Sequence, residues 1–164
     1  MRRGFTLFEV MMVVSILAIV ASVVVPLVGN NEASQLRAAA ELLAADIEDI
    51  QARALAEPEA PGCILLEADG SGWRLAQVDA PEDAILDFEG RPLRRAFGSD
   101  VLAGCPDLRI MAMELPPSGL QFNDQGTPMA LDTSLVFELE AGDQEDSITV
   151  AVSASTGRVS INRN

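Results

Sequence analysis

The sequence predicts an α+β chain: a long N-terminal helix, its first half membrane-spanning, packed by its second half on an antiparallel β domain. Three observations predict it. Val10 to Val28 carries no charged side chain. Leu36 to Ala54 repeats apolar residues with a helical period, and beyond Pro58 the apolar residues change to a period of two.

The uncharged run of about 19 residues gives ~28 Å at ~1.5 Å per residue, close to the ~30 Å hydrocarbon thickness of a bilayer. Glu9 stands at its edge, and a carboxylate next to hydrocarbon is costly enough to imply a partner. Arg2 and Arg3 precede the run, so the positive-inside bias keeps the N-terminus cytoplasmic and places the rest across the membrane. Pro26 kinks a helix without necessarily ending it, and Gly29-Asn30-Asn31 marks a weak point where the span meets water.

The helical pattern then resumes. Leu36, Ala40, Leu43, Ile47, Ile50 and Ala54 alternate spacings of four and three, while Arg37, Glu41, Asp46, Glu48 and Asp49 fall mostly off that stripe. A single helix from about Phe5 to Ala56 would be ~78 Å long. Its stripe covers less than about three clean heptads, so it is read as packing on the chain's own sheet and not as a coiled-coil seam. Glu57-Pro58-Glu59-Ala60-Pro61-Gly62 stops it.

Cys63 to Glu67 and Trp73 to Val78 read as strands around a hairpin loop at 68–72, and Ala84 to Phe88 as a weak strand. Gly90 to Cys105 is the least regular stretch. Its Arg91, Arg94 and Arg95 are expected to pair with nearby carboxylates and not to form a basic patch. Arg109 to Leu115 alternates into the turn Pro116-Pro117-Ser118-Gly119. Leu120-Gln121-Phe122, Leu135 to Glu140, Ile148 to Val152 and Val159 to Ile161 read as an antiparallel meander. The acidic loop 143–146 lacks a full set of spaced calcium ligands, so no metal is assigned to it.

At 164 residues the chain suits one soluble domain beyond the helix. Eleven basic residues, all arginine, face 25 acidic ones for a net charge of −14, which repels nucleic acid and anionic head groups. With no histidine and no Gly-x-Ser-x-Gly motif, the commonest catalytic schemes lose a member; no enzyme activity and no cofactor are expected. Cys63 and Cys105 both lie on the predicted non-cytoplasmic side, where a disulfide is permitted. It would close about 43 residues and be worth ~4 kcal/mol in the chain-entropy model; the alternative is two separately buried thiols.

Arg2-Arg3-Gly4 followed by Phe5-Thr6-Leu7-Phe8-Glu9 and the apolar run resembles the prepilin signal of type IV pilins and type II secretion pseudopilins. The resemblance implies cleavage after Gly4 by a prepilin peptidase, N-methylation of Phe5, and an assembly role for Glu9, fifth after the cut. The domains would then be a leader at 1–4, a transmembrane and assembly helix at 5–28, an amphipathic continuation at 29–57 and a periplasmic β domain at 58–164. All-strand composition after the helix, Phe122-Asn123-Asp124-Gln125-Gly126-Thr127-Pro128, and a final Ser155-Thr156-Gly157-Arg158-Val159-Ser160-Ile161 are similar to the GspH/FimT branch. That likeness implies a β-sandwich-like fold capped by the helix. It further implies a single-pass inner-membrane minor pseudopilin at or near the tip of a periplasmic type II secretion filament. Its partners would be other major and minor pseudopilins and the inner-membrane secretion platform. The alternative is a minor pilin of type IV pilus assembly or DNA uptake. Members acting in uptake carry Gly-Arg-x-Arg, and Ser160 stands where the second arginine would be.

The mature chain is expected to begin at N-methylated Phe5, and Gly4→Val to block the cut. Mass spectrometry of the purified N-terminus checks this; a mature chain retaining Met1 to Gly4, or starting beyond Val28, would overturn it.

Overall fold

The computed structural model describes residues 7–28, 31–141 and 147–163, with side chains over 7–20, 33–141 and 147–163. The chain divides into two compact units, Met1–Ser34 and Gln35–Asn164.

In the first unit α1, Leu7–Val28, runs helically through Pro26. Every described side chain from Leu7 to Val20 is exposed. Among the described residues no helix is long and apolar enough to cross a membrane. The described side chains of α1 cover only ~21 Å of helix at ~1.5 Å per residue; the predicted span also draws on residues 5 and 6 and on the side chains of 21–28, which lie outside the described ones. The predicted single helix from Phe5 to Ala56 likewise passes through residues 29 and 30, outside the described ones. Helix resumes as α2, Asn31–Ala56.

The second unit is built on α2. Leu36, Ala40, Leu43, Ile47, Ile50 and Ala54 are each no more than 1% exposed, with Ala39 fully buried beside them. The predicted stripe is therefore the core face. Arg37 pairs with Glu41 and Arg53 with Asp49, both at 2.8 Å and one turn apart on the solvent side, where such pairs add only tenths of a kcal/mol.

Two antiparallel sheets share that core. The first contains β1 (Gly62–Leu66), β2 (Gly72–Gln77), β3 (Ala80–Ala84), β4 (Arg94–Ala96) and β6 (Leu120–Gln121), in the order β3-β2-β1-β6 with β4 also on β2. The second contains β5 (Leu108–Met113), β7 (Leu135–Ala141), β8 (Ser147–Val152) and β9 (Val159–Arg163), in the order β5-β7-β8-β9. Strict alternation buries Leu135, Phe137, Leu139 and Ala141 of β7 against Ile148, Val150 and Val152 of β8. The β1–β2 turn is joined to the second sheet at Gly70, whose C=O accepts from Ile110 N–H at 3.0 Å. Gly70 has φ +71°, and a Cβ there would stand 2.9 Å from Ile110 O.

Three strand assignments differ from the sequence reading. Leu120–Gln121 does not join the final meander: β6 pairs with β1 in the first sheet, and only β7, β8 and β9 form the meander. The weak strand expected at 84–88 lies earlier, at Ala80–Ala84. A bulge at Ala76/Gln77 shifts its register, and Pro81 is tolerated because β3 is a sheet edge. β4 was not foreseen in the irregular stretch, because its alternation is written in arginines. Arg94, opposite Arg74, turns outward to Glu67, whereas Arg95, opposite Trp73, turns inward to Asp46. The loop 143–146 lies outside the described residues.

Asp46 is the polar exception in the α2 core face, 6% exposed. Its Oδ2 accepts from Trp73 Nε1 at 2.8 Å and Arg95 Nε at 3.1 Å, and its Oδ1 from Arg95 Nη2 at 3.2 Å. The hydrogen bond from its own guanidinium to Asp46 raises the Arg95 pKa further above its ordinary value. Trp73 in turn meets Phe97 edge-on at 5.9 Å. Removing the carboxylate strands a half-buried guanidinium and a buried indole N–H, so Asp46→Ala is expected to cost about 3 kcal/mol. Urea denaturation of the full chain in detergent, followed by the fluorescence of the single tryptophan, measures it. A loss below about 1 kcal/mol would show that the pair contributes no more than a surface bridge.

Candidate functional site

The predicted site residues belong to different units. Gly4 and Phe5 lie outside the described residues. Glu9 sits in the first turn of α1, where the helix dipole favours a negative charge. Around it Leu7, Phe8, Val10, Met11 and Met12 are all exposed, Leu7 by 80%. Further along, the Ser15 hydroxyl donates to the Met11 carbonyl at 2.8 Å, so the helix satisfies this polar group internally. The result is a helix apolar on every described side with one carboxylate at its start, a pattern that requires an apolar surrounding.

In the globular unit, the loop after β6 and the β8–β9 turn meet at one residue of α2. Asn123 Oδ1 accepts from Gln125 N–H at 3.0 Å and Thr127 N–H at 2.8 Å, closing the turn after β6. Gly126 O then accepts from Gln51 Nε2 at 2.6 Å. The β8–β9 turn arrives at the same place: a Cβ at Gly157, φ +68°, would clash with Gln51 Nε2 and stand 2.5 Å from Gly126 O. Glycine is thus the residue both the backbone and the space require there. Gln51 thus ties the loop after β6 to the helix, and the β8–β9 turn packs against the same side chain.

The arginine cluster is neutralised as expected. Arg91 pairs with Asp87 at 3.0 Å and Glu89 at 2.9 Å, Arg94 with Glu67 at 3.0 Å, and Arg95 with Asp46. Arg74 also reaches Glu67, at 3.2 Å. No three histidine, cysteine, aspartate or glutamate side chains among the described residues group as metal ligands.

The cysteines take the second of the two arrangements that the sequence leaves open. Cys63 and Cys105 are both buried free thiols, and the permitted disulfide is not formed. Ile64 joins the core with α2, so its neighbour Cys63 faces the opposite side of the first sheet, across from Ala76. Cys105 lies inside the core cluster, its thiol 4.0 Å from the Gln35 carbonyl. The sheet stands between them. Burial raises the pKa of both thiols, offset at Cys63 by the Ala76 backbone and Arg74, which leaves them inert.

Comparison with known proteins adds to this geometry. Residues 1–25 match the family model described as the prokaryotic N-terminal methylation motif. That match bears out a prepilin-type motif at the N-terminus, over the first 25 of 164 residues. It implies processing by a prepilin peptidase, membrane anchorage and assembly with other pilins. No curated protein and no solved structure matches the chain.

Two alkylatable thiols are expected in the protein unfolded without reductant, and slow alkylation of both in the native state. Mass analysis after iodoacetamide checks this; a mass lacking both adducts in the unfolded, unreduced chain would restore the disulfide.

Proposed function

We propose that the chain is a minor pseudopilin, a structural subunit of the type II secretion pseudopilus that supports protein export and has no catalytic turnover. The observation that carries this reading is the methylation motif over residues 1–25, with Glu9 five residues after Gly4 in the first turn of an exposed apolar helix. An antiparallel β unit with a strongly acidic surface follows, which supports the GspH-like position at or near the filament tip. α1 would lie in the inner membrane before assembly and in the filament core after it, with the β unit in the periplasm.

Mechanism follows from charge in a low dielectric. Cleavage after Gly4 creates a new amine on Phe5, and that positive charge on one subunit neutralises Glu9 of its neighbour where water is scarce. Pairing sets the axial register, and an uncut precursor lacks the amine. A type IV minor pilin acting in pilus assembly or DNA uptake is the second reading. Against uptake stand the net charge of −14, the neutralised arginines and the Gly157-Arg158-Val159-Ser160 sequence.

Glu9→Ala makes the helix more apolar, so insertion and cleavage are expected to persist. Crosslinks to neighbouring subunits and secretion are expected to fall, with Glu9→Asp intermediate. Normal assembly and secretion by Glu9→Ala would refute charge pairing in this chain.

A further inference from the structure

β9, Val159–Arg163, is an outer strand of the second sheet, paired on one side with β8. Ser153 N–H donates to Arg158 O at 3.0 Å, and Thr149 Oγ1 donates to Asn162 O at 3.3 Å. Antiparallel alternation counted from the Ser153–Arg158 rung gives the backbone of Ser160 and Asn162 to β8 and turns the N–H and C=O of Val159 and Ile161 outward. No described backbone group takes these up. The apolar row of the core runs out along the same strand. Val159 lies opposite Val152 and Ile161 opposite Val150, so both share the core side of the sheet. Val150 and Val152 are fully buried, yet Ile161 is 40% exposed.

The other sheet edges are closed. β3 carries Pro81 and meets a bulge at Ala76/Gln77, while β4 and β6 are only three and two residues long. β5 is covered by the β1–β2 turn, through Ile110 N–H to Gly70 O and Arg109 Nη1 to Asp69 O, both at 3.0 Å. Each of these features keeps a foreign strand off a sheet. β9 has no proline, and its register is regular over all five residues.

The open groups identify what fits them. Donors and acceptors alternating along an edge are met together only by a second extended backbone, and Ile161 calls for an apolar side chain on it. Arg158, exposed just ahead of β9, enters no described ion pair, so the strand's start favours a carboxylate. A second copy fits less well. Its antiparallel β9, centred on Ile161, would set Arg163 beside Arg158 and bring a net charge of −14 against an equal one.

We propose that β9 is the docking edge for an extended strand of a different protein, apolar where it meets Ile161 and acidic where it meets Arg158. The second sheet gains a fifth strand, and Ile161 becomes buried. This contact goes beyond the filament reading and is separate from the Glu9 pairing, since it uses neither α1 nor the cut after Gly4.

The test places photoreactive benzoylphenylalanine at position 160 of the full chain in its native cells. Position 113, 75% exposed on the opposite edge strand of the same sheet, is the control. The expected result is an adduct with a different protein, mapped to a segment of alternating apolar residues with an acidic neighbour, at least about fivefold above the control. Ile161→Pro removes an outward N–H without touching the bonds to β8, and Ile161→Lys sets a charge on the open edge. Each is expected to cut the adduct about tenfold, and Ile161→Val to preserve it. Arg158→Glu is expected to cut it about threefold. Unchanged fluorescence of Trp73, in the other sheet, shows that a purified variant folds, and the lysine variant decides if the proline one does not fold. Adducts only with a second copy, lipid or nucleic acid, a yield no higher than at position 113, or a crosslink mapped to a helix would overturn the proposal. So would persistence of the adduct in the folded Ile161→Pro or Ile161→Lys chain, or indifference to Arg158→Glu.

Discussion

The buried face of α2 is the constraint on which the globular unit depends. Each sheet presents one apolar face, and neither can be withdrawn from water without something to lie against. Leu36, Leu43, Ile47 and Ile50 enter the same core as Trp73 and Leu75 of the first sheet and Phe137 and Val150 of the second. Losing the helix would thus expose both sheets together. The chain spends its longest regular apolar pattern on this one surface.

Asp46 gives that surface direction. Apolar packing is non-directional, and an apolar stripe alone tolerates small slides of helix against sheet. A carboxylate held by Trp73 Nε1 and by two guanidinium nitrogens of Arg95 has one position. Gln51, just over one turn along, fixes a second point through Gly126 O. Two polar contacts on an otherwise apolar face thereby set where β2, β4 and the loop after β6 stand relative to it.

The two units have opposite surfaces for a physical reason. α1 exposes Phe8, Met11, Ile16 and Leu17, whereas the β unit exposes mainly charge and turn residues. Apolar side chains on every face of a helix cannot all be covered by one neighbouring surface, so α1 needs an environment that surrounds it. The acidic β unit needs water. One chain carrying both is suited to a boundary, with Glu9 the one charged residue between Gly4 and Asn31.

The sequence by itself determined what rests on local pattern: the six stripe residues of α2, its end at Ala56 before Pro58, the β1–β2 hairpin, the β7–β8–β9 meander and the methylation motif. Each is written in neighbours a few residues apart, as helical spacing, alternation or a fixed offset from Gly4. Tertiary structure alone decided what depends on distant partners. Leu120 and Gln121 look like the start of the last meander, yet hydrogen-bond to β1 more than fifty residues earlier. Arg95 reads as one of a surface cluster and Asp46 as an off-stripe charge, and only the fold brings them together over a sequence separation of 49. Cys63 and Cys105 could be bonded on spacing alone, but strand alternation sends Cys63 to the face turned away from the core that holds Cys105. Local sequence sets which face a residue takes within its own element, while the partner across the core is chosen by how the whole chain closes.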